Sequence, residues 1–151
     1  MGSPRIRKCT LLMSCRPIVC PEDKLPFETG VHEEGSLIVV SIKEDRSSTR
    51  IPEILDLLWD KKVEEAYVYL AGFSSSIDGA KKECDLETTK AFLKVALERA
   101  GREKTHLVGC TCDWNKKMSF AEEVGIDLIQ SDCGGSETLG RIAAEALRKD
   151  F

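Results

Sequence analysis

The segment Ser36-Leu-Ile-Val-Val-Ser-Ile42 is an unbroken, largely β-branched apolar run, and it constrains the fold more than any other stretch of the chain. A strand with one wet face alternates apolar and polar residues. A continuous run is buried on both faces, as in a parallel sheet covered by helices. Parallel neighbours need long crossovers, so helical patterns should flank such a strand. Downstream, Ser47, Ser48 or Thr49 can cap a helix that carries Pro52 in its first turn. That helix spaces Ile51, Ile54, Leu55, Leu58 and Trp59 as one apolar stripe facing the sheet.

The alternation continues along the chain. Ala66 to Ala71 reads as a strand, Asp85 to Ala100 as a helix with Gly101 past its end, and Thr105 to Gly109 as a strand. A short helix at Ser119 to Val124, a strand at Ile126 to Gln130 and a last helix from Ser136 to about Lys149 follow. Cys9 to Cys15 is compact and apolar enough for a buried strand, whereas Arg16 to Gly35, with three prolines and two glycines, reads as a loop. The expected fold is a three-layer α/β domain. It has a doubly wound, mostly parallel sheet of about five strands in a flavodoxin-like or Rossmann-like arrangement. The 151 residues, 42% hydrophobic and without an internal repeat, suit a single domain spanning 1–151 with a long loop at about 16–35.

Charge and hydropathy exclude several roles. With 22 Lys and Arg against 26 Asp and Glu the formal charge is -4, which offers no uniformly basic surface for nucleic acid. No stretch approaches the ~18 apolar residues of a membrane span. Arg5, Arg7 and Lys8 before Leu11-Leu12-Met13 and Cys15 faintly resemble a lipoprotein signal, but the apolar run is too short for one. A cytoplasmic protein is expected.

Ligands of an open parallel sheet bind beyond the carboxyl ends of its strands. In this chain cysteines fall there. Cys15 ends the first strand, Cys20 lies in the loop after it, Cys110 and Cys112 follow the fourth strand, and Cys133 follows the fifth. Cys9 sits at the opposite end. Seven cysteines in a reducing compartment point to metal binding or redox chemistry more than to disulfides, and thiolates are the ligands that iron–sulfur clusters and zinc select. The spacings Cys-x5-Cys-x4-Cys and Cys-x-Cys are not the Cys-x2-Cys pairs of zinc ribbons or ferredoxins. Free cysteine is also a small hydrophobe that fills strand ends in a core. Both readings stay open.

Cys133-Gly134-Gly135-Ser136 joins a strand end to a helix start. Its glycines supply a tight turn and Ser136 a cap. The same backbone N–H groups can hold a small anionic ligand or activate Cys133, and Cys15 is the other candidate reactive thiol. Neither nucleotide-binding glycine motif is present, and Arg141 lies too far from Cys133 for a phosphatase loop. The polar loop Ala71 to Gly79, with Gly72, leaves the third strand on the same edge as the thiols, and Cys84 precedes the next helix. His106 is expected to be packed within its strand and His32 to sit in the early loop. Two histidines so placed make no catalytic triad. Asp113 and Trp114 beside Cys112 either line the site or anchor a loop.

Over Leu37 to about Val124 the order of elements resembles the delta subunit family of methyl-viologen-reducing hydrogenases, iron–sulfur electron-transfer proteins associated with heterodisulfide reductase. The likeness lies in Leu37-Ile-Val-Val, Val63-Glu-Glu-Ala-Tyr-Val-Tyr-Leu-Ala-Gly-Phe73, Asp78-Gly79, Leu93-Lys-Val-Ala-Leu-Glu-Arg-Ala-Gly101 and Phe120-Ala-Glu-Glu-Val124. The family pattern puts a cysteine where this chain has Phe73, with only Cys84 downstream. A cluster here would draw its ligands from Cys15, Cys20, Cys110, Cys112 and Cys133. The resemblance implies an electron-transfer oxidoreductase subunit with a protein redox partner, in a larger complex or a homo-oligomer. The competing expectation is a thiol-dependent enzyme or anion-binding module built on Cys133 or Cys15.

Overall fold

The computed structural model describes residues 7–14, 18–20, 25–27, 30–41, 47–70, 86–132 and 136–148. Of residues 7, 18–20, 25–27, 47–50, 86–88 and 136, the backbone alone is described. The elements are β1 (Arg7–Ser14), β2 (Ile18–Cys20), β3 (Leu25–Phe27), β4 (Gly30–Glu34), β5 (Leu37–Ser41), α1 (Ser47–Leu58), β6 (Lys61–Tyr69), α2 (Leu86–Ala100), β7 (Thr105–Gly109), α3 (Trp114–Val124), β8 (Leu128–Gln130) and α4 (Ser136–Arg148).

Six strands form one sheet in the order β4-β5-β1-β6-β7-β8, parallel throughout except that β4 pairs antiparallel with β5. Taken in chain order, the parallel strands run 2-1-3-4-5, the flavodoxin-like form of the doubly wound sheet. All five residues of β5 are buried, as its continuous apolar run requires. One face of the sheet is covered by α1, α2 and α3, through Ile54, Leu58, Phe92, Val95, Ala96, Phe120 and Ala121. The other is covered by α4, through Leu139, Ala143, Ala144 and Ala146.

One bulge fixes which side chains each face receives. β1 and β6 pair Cys9 with Val63 but Thr10 with Glu65, so Glu64 is an extra residue in β6. The inserted residue reverses the alternation. Ala66 and Val68 join Val63 on the three-helix face, and Tyr67 and Tyr69 turn toward α4.

Four local expectations are corrected. Arg16 to Gly35 is not simply a loop: it holds the β2–β3 hairpin, which lies against α4, and the antiparallel edge strand β4, which contains His32. Alternation there is too short and proline-broken to read as sheet. Leu55 and Trp59 do not join the α1 stripe. They are 36% and 83% exposed; Ile51 packs with Ile54 and Leu58 as expected, and Leu57, outside the expected stripe, joins them. Pro52 lies inside α1 rather than in its first turn, since the helix starts at Ser47. Finally, α3 starts at Trp114, not Ser119, which places Trp114 and Lys117 on a helix. It ends at Gly125, whose φ of 74° lets Gly125 and Ile126 both donate their N–H to the Ala121 carbonyl.

Candidate thiolate centre

The carboxyl ends of the parallel strands are Ser14, Ser41, Tyr69, Gly109 and Gln130. The Cys110–Asp113 turn leaves β7 at this edge and enters α3. Asp113 takes the left-handed conformation, φ 54°, uncommon outside glycine though best tolerated by Asn and Asp. Trp114 donates its N–H to the Thr111 carbonyl at 3.1 Å, and Lys117 donates its N–H to the Asp113 carbonyl at 3.0 Å. This turn aims the first turn of α3 back at the end of β7.

Lys117 uses that geometry. It has no solvent exposure, and its Nζ donates to the Cys110 carbonyl at 2.9 Å and to the Cys110 Sγ at 3.3 Å. A buried ammonium is costly unless paired, so the sulfur as thiolate is its natural partner. Burial pushes the Cys110 thiol up. The Cys112 backbone N–H, the Lys117 ammonium and the Cys112 side chain outweigh it and hold the thiol below its ordinary value. Gly109 makes room for the lysine stem: a Cβ there would stand 3.3 Å from Lys117 Cδ and 3.5 Å from Leu128 Cδ1. Cys110 is 8% exposed, and Cys112, two residues on, is exposed. Neither forms a disulfide.

The other predicted positions fall as follows. Cys15, Gly72, Cys84, Cys133, Gly134 and Gly135 lie outside the described residues. Cys20 ends β2, in the hairpin against α4 rather than in an open loop. Cys9 is at the far end of β1 and buried, and that burial pushes its thiol up to about 11 despite the nearby Lys61 and Arg99. Ser136 begins α4, but the capping carboxylate is Asp132. It accepts N–H bonds from Glu137 and Thr138, each at 3.0 Å, and the Thr138 hydroxyl at 3.0 Å. Burial works against the Asp132 charge, yet these donors hold its carboxyl below the usual range. Two of the N–H groups that an external anion would use at this helix start are therefore occupied by the protein itself.

Sequence reasoning missed two groups. Lys117 drew no expectation because α3 was expected to begin after it, at Ser119. His106 is more than a packed side chain. Its Nδ1 lies 2.8 Å and 3.0 Å from the Asp127 carboxylate oxygens, its Nε2 lies 2.7 Å from Glu65 Oε2, and its ring stacks on Tyr67 at 5.0 Å. Ionised carboxylates only accept, so this arrangement favours the protonated ring, in which both nitrogens donate. Burial opposes that charge, but the bonds to Glu65 and Asp127 raise its pKa overall. The cluster sits near the amino end of β7, away from Cys110.

Among the described residues no group of three or more His, Cys, Asp and Glu side chains is arranged to hold a metal ion. Cys110 and Cys112 are two sulfur donors. No helix among the described residues is long and apolar enough to cross a membrane. Compared with protein-family models, curated proteins and solved structures, the chain gives no match.

Proposed function

We propose that this chain is a cytoplasmic electron-transfer subunit whose redox group, an iron–sulfur cluster or another thiophilic metal, is held by cysteine thiolates at the carboxyl edge of the sheet. One observation carries the reading. Cys110, at the end of β7, keeps its sulfur against the fully buried ammonium of Lys117, with Cys112 two residues away. Such a sulfur is stabilised as the thiolate a soft metal requires. Its near closure to solvent suits a ligand better than a nucleophile that must meet a substrate. The order of strands adds support: β1, β6, β7 and β8 are successive neighbours, Cys110 and Cys112 follow β7, and in the sequence Cys15 comes directly after β1 and Cys133 three residues after the end of β8. The role is also the one implied by the resemblance to the hydrogenase delta subunits.

A cluster or tetrahedral zinc takes four ligands. In this proposal Cys110 and Cys112 supply two, and the others come from among Cys15, Cys20 and Cys133. When bound, a cluster supplies a one-electron carrier. The protein's own contribution is to neutralise ligand charge with Lys117, to hydrogen-bond a ligand sulfur, and to hold the Cys110–Asp113 turn in one conformation.

The second reading is thiol-dependent chemistry without metal, and the exposure of Cys112 beside a stabilised thiolate favours it. Anaerobic purification followed by absorption spectroscopy and iron, sulfide and zinc analysis separates the two. Iron with sulfide and a broad visible band is the expected result. A colourless, metal-free protein with rapid alkylation at Cys110 or Cys112 would replace this reading by the thiol one.

A further inference from the structure

We propose that the trough between α2 and α3 is a docking site for an acidic amphipathic helix of a partner protein. The trough has a volume of about 750 Å³ and is open along its length rather than enclosed, which suits a helix laid into a groove better than a swallowed small molecule. Leu93, Leu97, Phe120 and Val124 form its apolar floor. On α2 its lining runs from Lys90 to Leu97, two turns or about 11 Å at ~1.5 Å per residue. That length matches a partner helix presenting apolar residues at i, i+3, i+4 and i+7.

The rim selects the sign of the partner. Lys90, Lys94 and Lys116 stand around the floor with one acid, Glu123, among the described lining residues. The chain as a whole carries a formal charge of -4, so this surface reverses the sign of the molecule locally. A cationic rim around an apolar floor steers an acidic partner to this face and fixes its register.

Position links the trough to the thiolate centre. Asn115 and Lys116 line it from the first turn of α3, the turn that delivers Lys117 to Cys110. A helix seated there runs beside the chain segment carrying Cys112. That the partner exchanges electrons rests on the reading above, whereas the docking site itself stands on the trough.

The test uses the full chain, nitrogen-15 labelled, and two synthetic helical peptides sharing one leucine stripe, flanked by glutamates in one and by lysines in the other. The acidic peptide is expected to shift amide resonances of α2 and α3 and to bind more weakly as salt rises. Its affinity should fall about tenfold in the Lys94→Glu, Lys116→Glu variant, whose changes lie on exposed side chains. The basic peptide should not bind. No binding by either peptide, equal binding by both, shifts confined to other elements, or self-association of the chain through this face would each overturn the proposal. Neither peptide measurement needs a bound metal. Acidic-peptide binding that persists in a metal-free Cys110→Ser, Cys112→Ser variant keeps the docking site when the redox reading fails, and a metal-loaded protein that ignores the peptide loses the docking site alone.

Discussion

At Lys117 the chain buries an ammonium and gives it two acceptors on one residue, the carbonyl and sulfur of Cys110. Lys117→Met keeps the stem and removes the charge. With its partner gone the Cys110 sulfur takes up a proton and the Cys110 carbonyl loses its donor, so the free energy of denaturant unfolding should fall by about 1–3 kcal/mol. Alkylation of Cys110 in the metal-free protein at neutral pH should slow several-fold, read by mass spectrometry, and equal rates would show that the lysine does not hold the thiolate. His106 makes the opposite kind of prediction, in pH. Its folded pKa lies above the unfolded value of about 6.5. The stability it contributes is therefore complete below about 6.5 and lost as pH rises through the folded value. Unfolding midpoints of the wild type and His106→Gln, measured across that range, should converge as pH increases; a constant gap would exclude the imidazolium. Cys110 was legible from the sequence as a strand-end thiol. The partners of both residues were not, because Glu65 lies 41 positions from His106 and meets it only through the bulge-shifted register of β6.

At the scale of elements, periodicity located helices and buried strands well, and end signals less well. α1 shows why. Its residues Ile54 and Leu58 are in the core while Leu55, and Trp59 just past its end, face water, although all four are large and apolar; hydrophobicity alone did not tell which of two adjacent stripes the sheet would cover. Ile54→Ala should cost about 3 kcal/mol in chemical denaturation and Trp59→Ala less than about 0.5 kcal/mol. Comparable losses would mean that the solvent-side and sheet-side residues around α1 have been exchanged. α4 depends on a residue outside it. Asp132→Ala removes three acceptor contacts from its first turn and should cost about 1 kcal/mol at neutral pH. The Asp132 carboxyl is held below its ordinary value, so this contribution is present at neutral pH and lost as pH falls through the folded pKa. The variant and the wild type should then unfold together in strong acid. The β2–β3 hairpin was invisible to sequence reading because its strands are three residues long and flanked or broken by proline, and β4 because Gly-Val-His-Glu-Glu carries a single large apolar residue.

For the whole molecule, the 2-1-3-4-5 order of parallel strands gives the two edges of the sheet different chemistry. The carboxyl edge gathers Cys110, Cys112 and Lys117, and the amino end of β7 holds the paired charges of His106, Glu65 and Asp127. The parallel α/β class was readable from alternating apolar runs and helical stripes, since crossovers leave few other solutions. The antiparallel edge and the hairpin were not, nor was the convergence of a buried lysine on a strand-end sulfur, which depends on the length of α3 and on the space at Gly109. In the proposed function, thiolates at the carboxyl edge, Cys110 first among them, hold the redox group. The most direct test is metal and sulfide content per chain in anaerobically purified wild type, Cys110→Ser and Cys9→Ala, the last a buried thiol at the opposite end of the sheet. Bound metal is expected in the wild type and in Cys9→Ala, and its loss in Cys110→Ser. Equal content in the two variants, or metal in none of the three proteins, would contradict it.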